Sequence, residues 1–86
     1  MNDFSDFVEL IHSIRDIELL EDFMVGLTTS KERDEFLRRV EIVQRLIAGE
    51  PQLKIAKDLG VGIATVTRGS KELAHKRFKV LRKRQV

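Results

Sequence analysis

Apolar residues return every three or four positions along most of this chain, the period that places them on one face of an α-helix. Phe4, Phe7, Val8, Ile11 and Ile14 form a first stripe, with Asp6, Glu9 and His12 on the opposite face. Ile17, Leu20, Phe23, Met24 and Leu27 form a second, and Gly26 near its end predicts a helix stop or a close approach by another backbone. Thr29 and Glu32 then stand three apart, the spacing of a capping box in which each side chain satisfies an open amide of the other's turn, so a third helix should start here. Its stripe runs through Phe36, Leu37, Val40, Val43, Leu46 and Ile47 without a breaker until Ala48-Gly49-Glu50-Pro51, which makes it the longest element.

Beyond Pro51 the pattern changes to two short helical stretches, 52–59 and 63–73, separated by Gly60-Val61-Gly62, and a basic tail, 74–86, that either continues as helix or frays. A helix-turn-helix needs a small residue in its first helix where the second crosses it. It also needs a turn residue four positions later that tolerates positive φ, and apolar residues that lock the pair. Ala56, Gly60 and the set Ile55, Leu59, Val61, Ile63 and Val66 meet these demands. The same spacing also fits a plain helical hairpin with a glycine turn.

Charge sharpens the choice. The formal net charge is only +2, yet residues 1–30 carry seven acids and the single base Arg15, whereas residues 31–86 carry fifteen Lys or Arg against seven acids. The second part is where a polyanion would bind. With 42% hydrophobic and 35% charged residues the chain is an ordinary globular one, but at 86 residues a monomer buries too little surface to be more than marginally stable, so a partner subunit is expected. The chain has no cysteine, which excludes disulfides, thiolate metal sites and a cysteine nucleophile. No segment is apolar for long enough to cross a bilayer and the N-terminus lacks a signal-type pattern, so a cytoplasmic protein that does not engage a membrane is expected. His12 and His75 are the only histidines, no metal-ligand spacing or phosphate loop is present, and Gly60-Val61-Gly62 lacks the third glycine of a dinucleotide fingerprint. An enzyme and a metal site are therefore not expected.

In the helix-turn-helix reading, the second helix would present Gly62, Ile63, Ala64, Thr65, Thr67, Arg68 and Lys71, mostly short side chains that let its N-terminus sit deep in the major groove of double-stranded DNA. Lys54, Lys57, Lys71 and the tail cations Lys76, Arg77, Lys79, Arg82, Lys83 and Arg84 would reach phosphates, contacts that position the protein without reading sequence. The tail cations have a second reading as a solvated, solubilising run.

The run Gly60-Val61-Gly62-Ile63-Ala64-Thr65-Val66-Thr67-Arg68-Gly69-Ser70, with Glu32-Arg33 and Arg38-Arg39-Val40-Glu41-Ile42-Val43 upstream, closely resembles the tryptophan repressor family over residues 17–73. The resemblance implies an all-α fold: a small multi-helix domain with a helix-turn-helix at 52–73, dimerisation helices in 1–48, a basic tail at 74–86, and an intertwined homodimer. It implies that L-tryptophan acts as corepressor and sets the spacing of the two reading helices. It implies that Arg39 and Arg68 sandwich the indole, that Arg68 also pairs with the ligand carboxylate, and that Thr29 and Gly69 line the same pocket. A planar guanidinium stacks on an aromatic face and binds a carboxylate bidentately, which lysine does less well. Apart from the resemblance, each arginine equally suits a surface ion pair, and Arg68 a phosphate contact.

On the DNA side the resemblance implies contacts from Gln52 and from Gly62, Ile63, Ala64, Thr65 and Thr67, with readout carried largely through ordered water, for which this family is itself the usual example. Departures from the family pattern fall at Gly26 and Thr28, where bulkier apolar residues usually offer their carbonyls to the ligand's amino group, and at Glu72, a carboxylate able to attract an ammonium where some members have serine. Leu53 replaces a basic DNA contact, the entry Glu50-Pro51-Gln52-Leu53-Lys54 is one residue shorter, and Phe78, Val80 and Leu81 are the only apolar anchors of the short tail. Three functions follow from these features. The first is a tryptophan-responsive repressor, the second a constitutive or differently liganded regulator of the same fold, and the third a helical protein-interaction module whose basic tail takes an acidic partner.

Overall fold

A computed structural model describes residues 2–84 and contains, among them, six helices and no strand: α1 (Phe4–Ser13), α2 (Ile17–Leu27), α3 (Ser30–Ile47), α4 (Gln52–Leu59), α5 (Ile63–Ala74) and α6 (Lys79–Lys83). The all-α architecture and the order of elements agree with the periodicity. The chain divides into two compact units, Met1–Arg33 and Asp34–Val86. Residues 85–86 of the basic tail lie outside the described residues.

In the first unit, aspartates start both helices. Asp3 accepts a hydrogen bond from the Asp6 amide at 3.0 Å, and Asp16 accepts from the Glu18 amide at 2.8 Å. Phe4, Phe7 and Phe23 form a line of tilted rings, 6.0 and 6.3 Å between centroids, that ties α1 to α2. The expected stop at Gly26 is displaced: α2 runs to Leu27, Thr28 takes the extended cap position, and no atom lies within 4 Å of a Cβ built on Gly26. Arg33 supplies what a glycine cap would have, its Nη1 donating to the carbonyls of Thr28 (2.7 Å) and Val25 (3.2 Å). The capping box is present. The Thr29 amide donates to Glu32 Oε1 at 2.9 Å and the Glu32 amide to Thr29 Oγ1 at 3.1 Å, and hydrogen bonding from Thr29, its amide first and its side chain second, holds the Glu32 carboxyl below its ordinary pKa.

The second unit holds every fully buried side chain among the described residues. Ile42 of α3, Ile55 and Ala56 of α4 and Val66 of α5 form one cluster, with Leu46, Leu59 and Val61 packed on it. Two left-handed glycines set the turns. Gly49 (φ 89°) ends α3, with the Gly49 amide donating to Leu46 O and the Glu50 amide to Arg45 O. Gly60 (φ 66°) ends α4, with its own amide donating to Lys57 O and the Val61 amide to Ala56 O. Both are Schellman closures, which need a residue able to take positive φ. Of the expected locking set, Ile63 stays outside the cluster, 44% exposed as the first residue of α5, whereas Val66 three positions on is fully buried. Lys76 and Phe78, at φ 64° and 61°, repeat the left-handed turn after α5 without glycine.

A charged clip holds the α3–α4 junction. Arg45 Nη2 lies 2.6 Å from Glu50 Oε1 and 2.6 Å from Asp58 Oδ2, Arg45 Nε donates to both Glu50 oxygens at 3.0 Å, and Lys54 Nζ reaches Glu50 at 3.2 Å. The Arg45 hydrogen bond, followed by that of Lys54, draws the Glu50 carboxyl down to about 2, and Asp58 is lowered by the same guanidinium.

Two outcomes follow from this unit. Gly60→Ala should destabilise the fold by about 1–2 kcal/mol, read as a lower urea midpoint with an unchanged slope, because alanine must adopt the left-handed turn. Glu50 titrates near 4.5 when unfolded and near 2 when folded, so its pairing stabilises in full above pH 4.5 and is lost as the pH falls through about 2. Glu50→Gln should therefore be less stable than the parent at neutral pH and converge with it near pH 2. Parallel curves across that range would show that the clip contributes nothing.

Candidate functional site

The second unit contains an open pocket of about 290 Å³ lined by Arg39, Ile42, Val43, Thr65, Arg68, Gly69, Glu72 and Phe78. Helical periodicity builds it. Arg39 stands one turn before Ile42 on α3, and Thr65, Arg68, Gly69 and Glu72 occupy positions i, i+3, i+4 and i+7 of α5, a single stripe. Two buried residues, Ile42 and Val43, make an apolar floor. Gly69 lets the helices approach: a Cβ placed there would meet Ile42 Cγ2 at 3.4 Å, Leu46 Cδ1 at 3.5 Å and Val43 Cγ2 at 3.7 Å. A neighbouring hollow of about 260 Å³ shares Arg39 and Thr65 and adds Glu35, Arg38 and Val61.

The pocket walls carry two guanidiniums and one carboxylate over apolar ground. Among the described residues, Arg39, Arg68 and Glu72 make no ion pair, whereas Arg45, Lys54, Glu50 and Asp58 all do. Such a site is complementary to a small molecule with an apolar or aromatic body, a carboxylate and an ammonium.

Along α5, Gly62, Ile63, Ala64, Thr65, Arg68 and Lys71 are exposed, and the helix N-cap, Gly62, makes no side-chain capping bond. Amides at a helix start are open donors suited to an anion. Thr67 and Gln52 are half-buried and bonded to each other, Thr67 Oγ1 donating to Gln52 Oε1 at 2.9 Å. Lys54 belongs to the clip while remaining 59% exposed. Thr29 lies in the first unit, where its hydroxyl caps α3.

A sequence model of the family described as Trp repressor protein matches residues 2–83. The chain belongs to the Trp repressor family. It is 45% identical over 75 residues to the Trp operon repressor homolog of Vibrio parahaemolyticus serotype O3:K6 (strain RIMD 2210633), a match that covers 86% of this chain and 73% of that protein. It is 41% identical over 73 residues to the Trp operon repressor homolog of Chlamydia caviae (strain ATCC VR-813 / DSM 19441 / 03DC25 / GPIC), covering 84% and 72%. No solved structure gives a significant match.

The Trp repressor family is one of transcription regulators and not of enzymes, as the sequence had implied. Among the described residues no helix is long and apolar enough to cross a membrane. Of the residues expected at the corepressor site, Arg39, Arg68, Gly69 and Glu72 meet in one pocket. Two lining residues had been placed elsewhere by sequence reasoning: Thr65 on the DNA-reading face and Phe78 as a tail anchor. The position of Phe78 depends on the backbone reversal after α5, for which the sequence offers no glycine as a signal. The Arg45 clip was also missed, because Arg45 and Asp58 are thirteen positions apart and meet only across a turn.

Gly69→Ala should raise the melting temperature by a few degrees. Alanine improves helix propensity by about 1 kcal/mol, and the new methyl meets Ile42 and Leu46 at ordinary contact distance. A lowered melting temperature would show that the α3–α5 contact does not accept even a methyl at this position.

Proposed function

We propose that this protein is a tryptophan-responsive transcriptional repressor of the cytoplasm, which binds double-stranded operator DNA as a homodimer when L-tryptophan occupies the pocket. The observation that carries the reading is the meeting of Arg39, Arg68, Gly69 and Glu72 over the apolar floor of Ile42 and Val43. In this reading the indole lies between the Arg39 and Arg68 guanidiniums, Arg68 takes the carboxylate, and Glu72 attracts the ammonium.

The ligand would act by bridging. Arg39 belongs to α3, whereas Arg68, Gly69 and Glu72 belong to α5, the helix that also carries Gly62, Ile63, Ala64, Thr65, Thr67 and Lys71 toward DNA. A molecule bound to both helices favours those poses of α5 that keep the pocket formed, and so shifts the population toward the DNA-competent arrangement. Gln52 and Thr67, tied to each other, would fix the entry of α4 beside the reading helix, and Lys54 would neutralise phosphate. A second subunit is favoured by the apolar side chains left open: Phe4 (76% exposed), Ile17 (75%) and Leu37 (70%). Neither α1 nor α2 contains a fully buried residue.

One observation favours a constitutive or differently liganded regulator. The Thr28 carbonyl, at a position that in the family serves the ligand's amino group, already accepts a bond from Arg33 at 2.7 Å. Glu72 would then be the remaining partner for an ammonium.

Calorimetric titration with L-tryptophan decides between the two. The expected result is saturable binding at about one ligand per subunit and, in a selection from random duplexes, sequence enrichment only with the ligand present. Enrichment that is the same with and without it would support the constitutive regulator. Arg39→Ala should weaken tryptophan binding about ten-fold while leaving nonspecific DNA affinity in place. Lys71→Ala should weaken all DNA sequences alike and lower the salt dependence by about one counterion.

A further inference from the structure

After α5 the chain reverses through Lys76 and Phe78, both in the left-handed region at φ 64° and 61°. Residues with a Cβ hold this conformation only where surrounding contacts dictate it, and such strain gathers at ligand sites. Hydrogen bonds brace both positions. At Lys76, its own amide donates to Leu73 O at 3.0 Å and the Arg77 amide to Glu72 O at 3.0 Å, while the Phe78 carbonyl accepts from the Leu81 amide at 3.0 Å and the Arg82 amide at 3.3 Å, and Arg82 Nη2 from α6 donates to Leu73 O at 3.2 Å.

The consequence is local. Phe78 is set at the edge of the pocket, where it joins Ile42, Val43 and Gly69 in the apolar part of the lining and keeps 37% of its surface open. It is the one aromatic side chain among the pocket's described lining residues. Glu72, whose carbonyl anchors the reversal, lines the pocket too, so the turn and the site are built from the same residue. Arg39, Arg68 and Glu72 recognise charge and planarity from the walls, while a ring at the edge offers an aromatic ligand an offset or edge-to-face partner.

We propose that Phe78 is a ligand-contacting residue, packed by its strained turn against the ring of the bound amino acid, which it shields from water. The inference rests on the tryptophan reading of the same pocket and adds to it a contact from the C-terminal segment.

The protein itself makes the test direct, because the chain contains neither Trp nor Tyr and all indole emission comes from the ligand, the free ligand's share being subtracted from a blank titration. The full chain and the variants Phe78→Ala and Phe78→Gly are titrated with L-tryptophan, following affinity by calorimetry and the emission maximum and iodide quenching of the bound ligand. Glycine takes the left-handed turn without a steric clash, so Phe78→Gly removes the ring and keeps the reversal accessible. The expected result is a blue-shifted, protected indole in the parent. In both variants, affinity should fall about ten-fold, with emission shifted back to the red and quenching increased. Parent-like affinity and emission in a folded Phe78→Gly would overturn the role of Phe78 and leave the tryptophan reading standing. No saturable change in the parent itself would sink the tryptophan reading, and the Phe78 contact with it.

Discussion

The approach of α5 to α3 at Gly69 is the contact on which the rest of the second unit depends. With no side chain at that position, Ile42 and Leu46 of α3 come within ordinary contact of where a Cβ would be, and the two helices share the core of Ile42, Ile55 and Val66. That proximity brings Arg39 of one helix to the same hollow as Arg68 and Glu72 of the other. A residue larger than alanine would have to push α5 outward, and the walls of the pocket would move with it. Close packing of a small core thus fixes the distances between charged groups that lie above it.

Charges in this unit divide by use. Arg45, Glu50, Lys54 and Asp58 satisfy one another, and the clip fixes how α4 leaves α3 through the Gly49 turn. Arg39, Arg68 and Glu72 are left without ion-pair partners among the described residues, although opposite charges line one pocket. Unpaired ionic groups over an apolar floor are what a zwitterionic ligand would complete, whereas the paired set is occupied with holding the fold.

The first unit has a different character. Its helices are well capped by Asp3, Asp16 and the Thr29–Glu32 box, yet among its described residues it contains no fully buried side chain and carries large apolar residues in the open. Capping and ring-to-ring contacts give the helices their ends and their pairing. They do not bury enough apolar surface to hold such a segment firmly by themselves, since burial supplies most of the driving force in a small domain.

Local rules explain how much was legible in the sequence. Helix positions, the Thr29–Glu32 box and the left-handed Gly60 follow from three-four periodicity and from chemistry within a few residues, and the recognition-helix motif carried the family with it. The stop expected at Gly26 falls one residue later, at Leu27, where Arg33 closes the helix through bonds across a turn. Arg45 with Asp58, Thr67 with Gln52, and Phe78 at the pocket edge were invisible for the same reason: each pairing spans a chain reversal whose angle no local pattern encodes. The first five helices, most of their ends and the family follow from neighbours along the chain, whereas the short α6 beyond the reversal was left open. Only the tertiary structure decided which charges are consumed in the clip, which remain open in the pocket and which ring stands at its edge, because those depend on distances that packing alone sets.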